Sequence, residues 1–328
     1  ILKAFAIGSL MGAASAAPFD SANSGNWEVG TNWTPNGNPN PFADAITIST
    51  DSINWNGASD GYGGNTAAVI GGGASITVTG GGVLNVTSSQ TYVGYVSAGT
   101  LDIQSGSLSP NGNLHVGRAG GNGTLIVGDG VGAAGDASID VGGQLLLAAW
   151  NDAADVATIT INGDGEILNA RPALGGPAGS SATLTMNGDA YYQTTSRNAK
   201  QYIGSAGSGT IILNGSAEFE RRSSGSSSFS IGGSSVGSGT IILNNGSFFN
   251  DTGNGNATSN GLQVGESGAG YFEINDTATV SLTSFLTAGY NASGSGTVVQ
   301  NGGTVSTTRG IVLTRFGAGD GTYELNAG

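Results

Sequence analysis

A short motif, Gly-Thr followed by alternating apolar residues, recurs along this chain of 328 residues. Self-similarity at a period of a few tens of residues indicates a repeat architecture, in which each unit packs mainly against its neighbours. The spacing averages about 28 residues, so we predict a solenoid with coils of that length. The copies of the motif are Gly99–Ile103, Gly123–Val127, Ala157–Ile161, Ala182–Met186, Gly209–Leu213, Gly239–Leu243, Gly270–Ile274, Gly296–Gln300 and Gly321–Leu325.

Each repeat contains two more short strands. A second strand follows a glycine or another small residue, as in Ser107–Leu108, Ser138–Ile139, Glu166–Ile167, Glu218–Phe219, Ser247–Phe248, Thr279–Val280 and Thr304–Val305. A third strand ends in glycine, as in Tyr92–Gly94, His115–Gly117, Tyr202–Gly204, Ser230–Gly232 and Gln263–Gly265. Three strands and three turns describe one triangular coil. We therefore predict an all-β fold, a three-sided, right-handed, single-stranded parallel β-helix.

The alternation within the first strand predicts which side chains point into the solenoid. Side chains two residues apart on a strand lie on the same face, so one set forms ladders inside the coils. Each buried aliphatic side chain contributes about 1.5–3 kcal/mol, the main favourable term for such short strands. The predicted inward residues are Leu101, Ile103, Leu125, Val127, Ile211, Leu213, Ile241 and Leu243.

Asparagine follows the first strand in most repeats. Asparagine tolerates left-handed backbone geometry, and stacked copies can hydrogen-bond to one another. We predict an asparagine ladder at this corner, which is a structural feature and not a binding site. Its members are Asn162, Asn187, Asn214, Asn244, Asn275, Asn301 and Asn326.

The outward positions of the first strand carry several branched aliphatic residues: Ile126, Ile212, Ile242 and Val299. Such a stripe could pack against another solenoid or a carbohydrate chain, and we take these four residues as a candidate partner-facing stripe. The alternative is that they are ordinary surface aliphatics on a sheet face.

Charge and cysteine content narrow the functional classes. The chain has 9 Lys plus Arg against 22 Asp plus Glu, a formal net charge of −13, and its basic residues are scattered. Nucleic acids and anionic membranes favour clustered basic residues, so we expect neither as a partner. The chain contains no cysteine, which excludes disulfides, thiolate metal sites and thiol catalysis.

The N-terminus has the pattern of a secretory signal. Lys3 precedes the apolar run 4–12, and Ala14-Ser15-Ala16 is a suitable cleavage site. The run is too short to span a bilayer. We predict a signal peptide over 1–16, no membrane span, and a protein that is secreted or held at the bacterial cell surface. The alternative is that the segment is a buried part of the mature fold.

Residues 17–70 differ from the repeats because they are rich in tryptophan and asparagine. We predict a cap over the first coil, formed by the segments around Trp27 and Trp33, with 44–48 as its first strand. Aromatic residues such as Trp55 could instead provide a sugar-binding platform. We assign 71–328 to the solenoid, which we expect to be truncated at its C-terminal end.

Catalytic chemistry has little support in the sequence. Glu218, Glu220, Arg221 and Arg222 form the densest charged cluster, which we interpret as a solvated face; the alternative is the acid-base centre of a carbohydrate-active enzyme. His115, the one histidine, belongs to a repeated strand and is expected to be structural. We name no catalytic, cofactor-binding or metal-ligating residue.

The segment Asn32-Trp33-Thr34-Pro35, with units of the form Gly-Thr-Leu-x-Ile and Tyr-Val-Gly or His-Val-Gly, resembles the repeats of bacterial autotransporter passengers. It looks especially similar to β-helical surface proteins with a C-terminal PEP-CTERM sorting signal. The resemblance covers residues 25–328 and implies an exported surface or matrix protein. We expect a structural or adhesive role without catalysis, with extracellular polysaccharide or other copies of the chain as partners. The alternatives are a carbohydrate-active or glycan-binding β-helix and a filament subunit.

Overall fold

The computed structural model describes residues 66–327 except 132–135, 149–151, 195–199, 223–227 and 253–260, together with six short strands between residues 19 and 59. Side chains are described from residue 68 onward. The described residues form strands and turns and contain no helix, which confirms the all-β prediction. The predicted signal peptide, 1–16, lies outside the described residues.

The strands form three sheets, which the chain visits in the order A, B, C in every coil. Apart from two pairs at the N-terminal end, strands within a sheet run parallel to their neighbours. From Ser75 to Leu313 the chain completes nine coils of about 27 residues each. The predicted three-sided parallel β-solenoid is therefore confirmed.

In spatial order, the described strands of sheet A are Trp33–Thr34, Phe19–Ser21, Ala45–Ile48, Ser75–Val78, Gly99–Ile103, Asn122–Val127, Val156–Ile161, Ser181–Met186, Ser208–Leu213, Ser238–Leu243, Ala269–Ile274, Ser295–Gln300 and Asp320–Leu325. Those of sheet B are Gly25–Asn26, Ser52–Trp55, Val83–Val86, Gly106–Pro110, Ala137–Asp140, Gly165–Leu168, Tyr191–Thr194, Glu218–Arg221, Phe248–Asp251, Thr279–Leu282 and Thr304–Thr307. Those of sheet C are Ala58–Ser59, Thr66–Ile70, Gln90–Tyr95, Asn113–Arg118, Gln144–Leu147, Arg171–Leu174, Gln201–Ile203, Phe229–Ile231, Gly261–Val264, Phe285–Ala288 and Ile311–Leu313.

The predicted inward residues of sheet A line the interior. Leu101 is the register partner of Leu125, and Ile211 is the partner of Ile241, all fully buried. The other predicted inward residues, Ile103, Val127, Leu213 and Leu243, are also fully buried. Because successive coils keep the same register, side chains at one position form a column along the solenoid axis.

The asparagine ladder is present at the corner between sheets A and B. Each asparagine side-chain amide donates to the side-chain oxygen of the preceding one, at 2.8–3.3 Å from Asn187 through Asn326. At its first member, Asn162 Nδ2 donates to the Gly128 carbonyl. The expectation that these asparagines adopt left-handed backbone geometry is wrong, because none of the ladder asparagines has a positive φ. The positive φ occurs instead at the following residue, as at Gly215 and Asn245.

The glycine that ends the third strand is required by both its φ and its surroundings. Gly204 has a φ of +70°, and a Cβ there would overlap the carbonyl oxygen of Ser238 in the next coil. A side chain at this corner would therefore push adjacent coils apart.

Antiparallel strands cover the N-terminal edges of two sheets. Trp33–Thr34 pairs with Phe19–Ser21 in sheet A, and Ala58–Ser59 pairs with Thr66–Ile70 in sheet C. The strand predicted over 44–48 is present as Ala45–Ile48, but other strands precede it, and it already pairs in parallel with sheet A. Solenoid pairing therefore begins before residue 71. The tryptophan side chains of this region lie outside the described residues.

One predicted second strand is shifted by a residue. The strand is Phe248–Asp251, and Phe249, not Phe248, is the register partner of Phe219. Phe249 is buried and stacks on Phe219 with ring centroids 5.4 Å apart, and Phe219 stacks on Tyr192 at 4.8 Å. Because a shift of one residue exchanges the two faces of a strand, Phe248 points outward.

The prediction of a solvated charged cluster is wrong for two of its four members. Arg221 is 2% exposed, and Glu220 is 6% exposed. Arg221 follows the inward Phe219 by two positions, so the alternation of the strand directs it into the solenoid. Glu218 is half-buried, and the side chain of Arg222 is 57% exposed.

Candidate functional site

The predicted partner-facing stripe lies on the outer face of sheet A but is not continuous. Ile212 and Ile242 are register partners in adjacent strands, and both are half-buried. Ile126 is also half-buried, whereas Val299 is only 8% exposed. Polar residues interrupt the stripe: the register partners of Ile126 are Asp102 and Thr160, and those of Val299 are Glu273 and Glu324. A partner-facing role for the four residues stays a prediction.

A denser group of polar and aromatic side chains lies on the outer face of sheet B, where two columns run side by side across adjacent strands. We call these residues the sheet B patch. Its first column is Glu166, Tyr191, Glu218 and Phe248, and its second column is Gln193, Glu220 and Asn250.

The alternation of each strand sets the direction of these side chains. The intervening positions are fully buried in the core and are occupied by Ile167, Tyr192, Phe219 and Phe249. Their neighbours on either side must therefore point outward. The parallel register then places equivalent outward residues in adjacent strands about 4.8 Å apart.

The carboxylate of Glu220 organises the centre of the patch. Its Oε2 accepts hydrogen bonds from the Tyr191 hydroxyl and from Gln193 Nε2, the latter at 3.3 Å. Gln193 Nε2 also lies 2.7 Å from the Tyr191 hydroxyl oxygen. The guanidinium of Arg222 pairs with Oε1, with 2.8 Å from Nε. These contacts hold the phenol of Tyr191 in one position.

The same contacts shift the pKa values of both groups. Partial burial would raise the pKa of Glu220, but the hydrogen bonds from Arg222 and Tyr191 outweigh it and lower that pKa. Burial, with the hydrogen bond to Glu220, raises the pKa of Tyr191 to about 12. At neutral pH the carboxyl is therefore ionised and the phenol is a neutral hydrogen-bond donor.

Three polar side chains of the patch keep free hydrogen-bonding groups. Glu166, Glu218 and Asn250 make no side-chain hydrogen bond within the described part of the chain. Burial raises the pKa of Glu218, and the negative charge of Glu220 adds to this shift. Burial and the charge of Asp140 likewise raise the pKa of Glu166.

The two aromatic residues of the first column lie two strands apart, on either side of Glu218. Two strand spacings correspond to about 9.6 Å. Both Tyr191 and Phe248 are half-buried, so part of each ring faces solvent. The patch thus offers two rings with hydrogen-bonding groups between and beside them.

The patch has two chemical capabilities. Aromatic rings beside amide and carboxylate groups can bind a ligand that has both apolar C–H surfaces and hydroxyl groups. A carboxyl with a raised pKa, at Glu218, next to an ionised carboxylate, at Glu220, can also act as a proton donor and a base. The sequence indicated these two glutamates, but Tyr191, Gln193, Phe248 and Asn250 were missed because the coils had to be aligned in register to reveal them.

His115 is buried, as expected for a structural residue. It is 2% exposed, its Nε2 lies 2.6 Å from Gln90 Oε1, and its ring packs against Tyr92. The described residues include no group of three or more His, Cys, Asp or Glu side chains placed to hold a metal ion. In the same part of the chain there is no apolar helix of membrane-spanning length.

No protein-family model, no curated protein and no solved structure matches this chain significantly. The fold and the sheet B patch are therefore interpreted from their own geometry and chemistry.

Proposed function

We propose that this protein is an exported structural or adhesive β-solenoid of the bacterial cell surface or matrix, similar in role to autotransporter passengers and PEP-CTERM surface proteins. The observation that carries the proposal is the unbroken register of nine coils around one continuous core. At about 4.8 Å per coil, they form a rod roughly 43 Å long.

The distribution of side chains supports a scaffold. Among the described residues the interior is packed mainly with aliphatic and aromatic groups, with Arg221 and Asp251 as a buried ion pair, so the outer faces are the surfaces available to a partner. Those faces are parallel sheets, in which equivalent positions of successive coils recur about 4.8 Å apart. The basic, apolar and small-residue pattern of 3–16 supports export.

Adhesion under flow tests the proposal. Beads coated with the purified protein are passed over surfaces coated with bacterial matrix polysaccharide, and beads coated with albumin serve as the control. We expect retention of the solenoid beads without release of reducing sugar ends. If the solenoid beads wash off like the albumin beads, the adhesive role is wrong.

A carbohydrate-active enzyme is the second candidate, because the pKa values of Glu218 and Glu220 are shifted in opposite directions on one face. Their Cα atoms are two residues apart on one strand, about 6.6 Å. Incubation with glycans, followed by reducing-end measurement, tests this candidate. Turnover by the wild type that is lost in Glu218→Gln and Glu220→Gln would establish the enzyme and overturn the non-catalytic role.

A further inference from the structure

Tyr191 and Phe248 provide two ring surfaces along one line parallel to the solenoid axis. The hydroxyl of Tyr191 is fixed by Glu220 and Gln193, so little side-chain entropy is lost when a ligand stacks on its ring. Two strand spacings are about 9.6 Å. The distance from one sugar ring to the next but one in an extended polysaccharide is similar. The two rings can therefore contact alternate sugars of one chain.

Two side chains beside the rings, Glu218 and Asn250, carry free hydrogen-bonding groups. Glu218 lies between the two rings, and Asn250 is the neighbour of Glu220 on the adjacent strand. Neither side chain has a hydrogen-bond partner among the described residues. A carboxylate accepts and an amide both donates and accepts, so together they can pair with sugar hydroxyls in either role.

The charge of the patch selects among polysaccharides. It contains three glutamates, and its adjacent cation, Arg222, is already paired with Glu220. A polyuronide would bring further carboxylates next to Glu166 and Glu218, at a Coulombic cost. A neutral chain carries no such cost. A second copy of the protein is also disfavoured, because the chain has a net charge of −13.

We propose that the sheet B patch binds a neutral polysaccharide chain running along the solenoid axis, with sugar rings stacked on Tyr191 and Phe248 and hydroxyls bound by Glu218 and Asn250. This inference rests on the proposed adhesive function and names the face and the class of partner. Binding requires no cofactor and no bond cleavage.

Affinity electrophoresis of the full chain tests the site. Hydroxyethyl cellulose and galactomannan are the neutral probes, and polygalacturonate is the anionic probe. We expect the wild type to be retarded by at least one neutral probe and not by polygalacturonate. Tyr191→Ala and Phe248→Ala should each weaken that binding about tenfold, and Glu218→Gln should weaken it less.

Tyr271→Ala is the matched control. Tyr271 is a half-buried, outward tyrosine on sheet A, and its hydroxyl donates to Glu273 at 3.0 Å. This variant should bind like the wild type. Thermal unfolding monitored by circular dichroism identifies any variant that loses binding because it does not fold. If the alanine variants do not fold, Glu218→Gln still tests the site, because it keeps the shape of the side chain.

Several outcomes would overturn the site. These are no retardation by either neutral probe, equal losses in Tyr191→Ala and Tyr271→Ala, or stronger retardation by polygalacturonate than by the neutral probes. A change in sedimentation coefficient on Tyr191→Ala would instead indicate a contact between copies.

If wild-type beads adhere under flow and Tyr191→Ala beads adhere equally, the site is wrong but the adhesive function stands. If wild-type beads do not adhere, the function itself fails.

Discussion

The guanidinium of Arg221 and the carboxylate of Asp251 form a salt bridge inside the solenoid, with 2.6 Å between Nη1 and Oδ2. The two residues are register partners in adjacent strands of sheet B, and each side chain is 2% exposed. Removing two charges from water is costly, and their mutual attraction compensates for the cost only while both are present. The core therefore tolerates the pair but not either member alone.

Replacing Asp251 with Ala should lower the free energy of unfolding by about 3–5 kcal/mol, because it leaves the charge of Arg221 buried without this partner. Urea denaturation measures the loss. Arg222→Ala, which breaks an ion pair with an exposed guanidinium, is the control and should cost far less. The double variant Arg221→Met, Asp251→Leu should recover most of the loss. Equal costs for Asp251→Ala and Arg222→Ala would contradict this account.

Phe248 and Phe249 are adjacent in sequence but face opposite sides of sheet B, so their alanine variants compare the loss of an outward ring with the loss of an inward one. Phe249→Ala should cost about 3–5 kcal/mol, because its ring packs against Phe219, Phe229 and Phe272 in the core. Phe248→Ala should cost about 1 kcal/mol or less. Chemical denaturation of both variants checks the difference. A larger loss for Phe248→Ala would mean that the strand register is shifted by one residue.

The alternation of inward and outward residues within each strand predicted the interior of sheet A correctly. Leu125, Ile211 and Ile241 lie in strands whose repeats are nearly identical, so alternation and alignment agree. Burial of these aliphatic side chains inside the coils removes apolar surface from water, which favours the predicted orientation. The asparagine ladder was predictable for the same reason, since asparagine recurs at one position of the repeat.

The sheet B patch could not be predicted in the same way, because coil lengths vary from 24 to 34 residues. An error of one residue in aligning Ser247–Phe248 with Glu218–Phe219 exchanges inward and outward residues. Arg221 shows a second difficulty. Alternation with the inward Phe219 is consistent with a position inside, but its charge led us to interpret it as solvent-exposed. Its partner Asp251 becomes visible only after the coils are aligned.

The asparagine ladder should stabilise its middle more than its end. Asn214 donates to Asn187 and accepts from Asn244, whereas the side chain of Asn326 donates to Asn301 at an exposed position. Asn214→Ala breaks two hydrogen bonds and should cost about 1–3 kcal/mol. Asn326→Ala should cost less. Guanidinium denaturation distinguishes the two, and equal costs would show that the ladder contributes nothing beyond its turns.

His115 should make the protein less stable in acid. Burial, together with the positive charge of Arg118, lowers the pKa of this histidine to about 3. The unfolded ring takes up a proton near pH 6.5, so between about pH 6.5 and pH 3 the unfolded state binds more protons than the folded state. Stability attributable to His115 is therefore fully present above pH 6.5 and is lost as the pH falls. His115→Gln removes this dependence, which urea denaturation at several pH values measures.

Asp155 should have the opposite effect on the pH dependence of stability, and so provides a control. Burial raises its pKa from 3.8 to about 6, and the hydrogen bond from the Gly120 amide offsets only part of that shift. The folded state then binds more protons between about pH 4 and pH 6, so this group opposes folding as the pH rises. Asp155→Asn should therefore steepen the loss of stability in acid, whereas His115→Gln should flatten it. If both variants change the pH profile in the same direction, at least one of the two buried groups has been assigned the wrong protonation state.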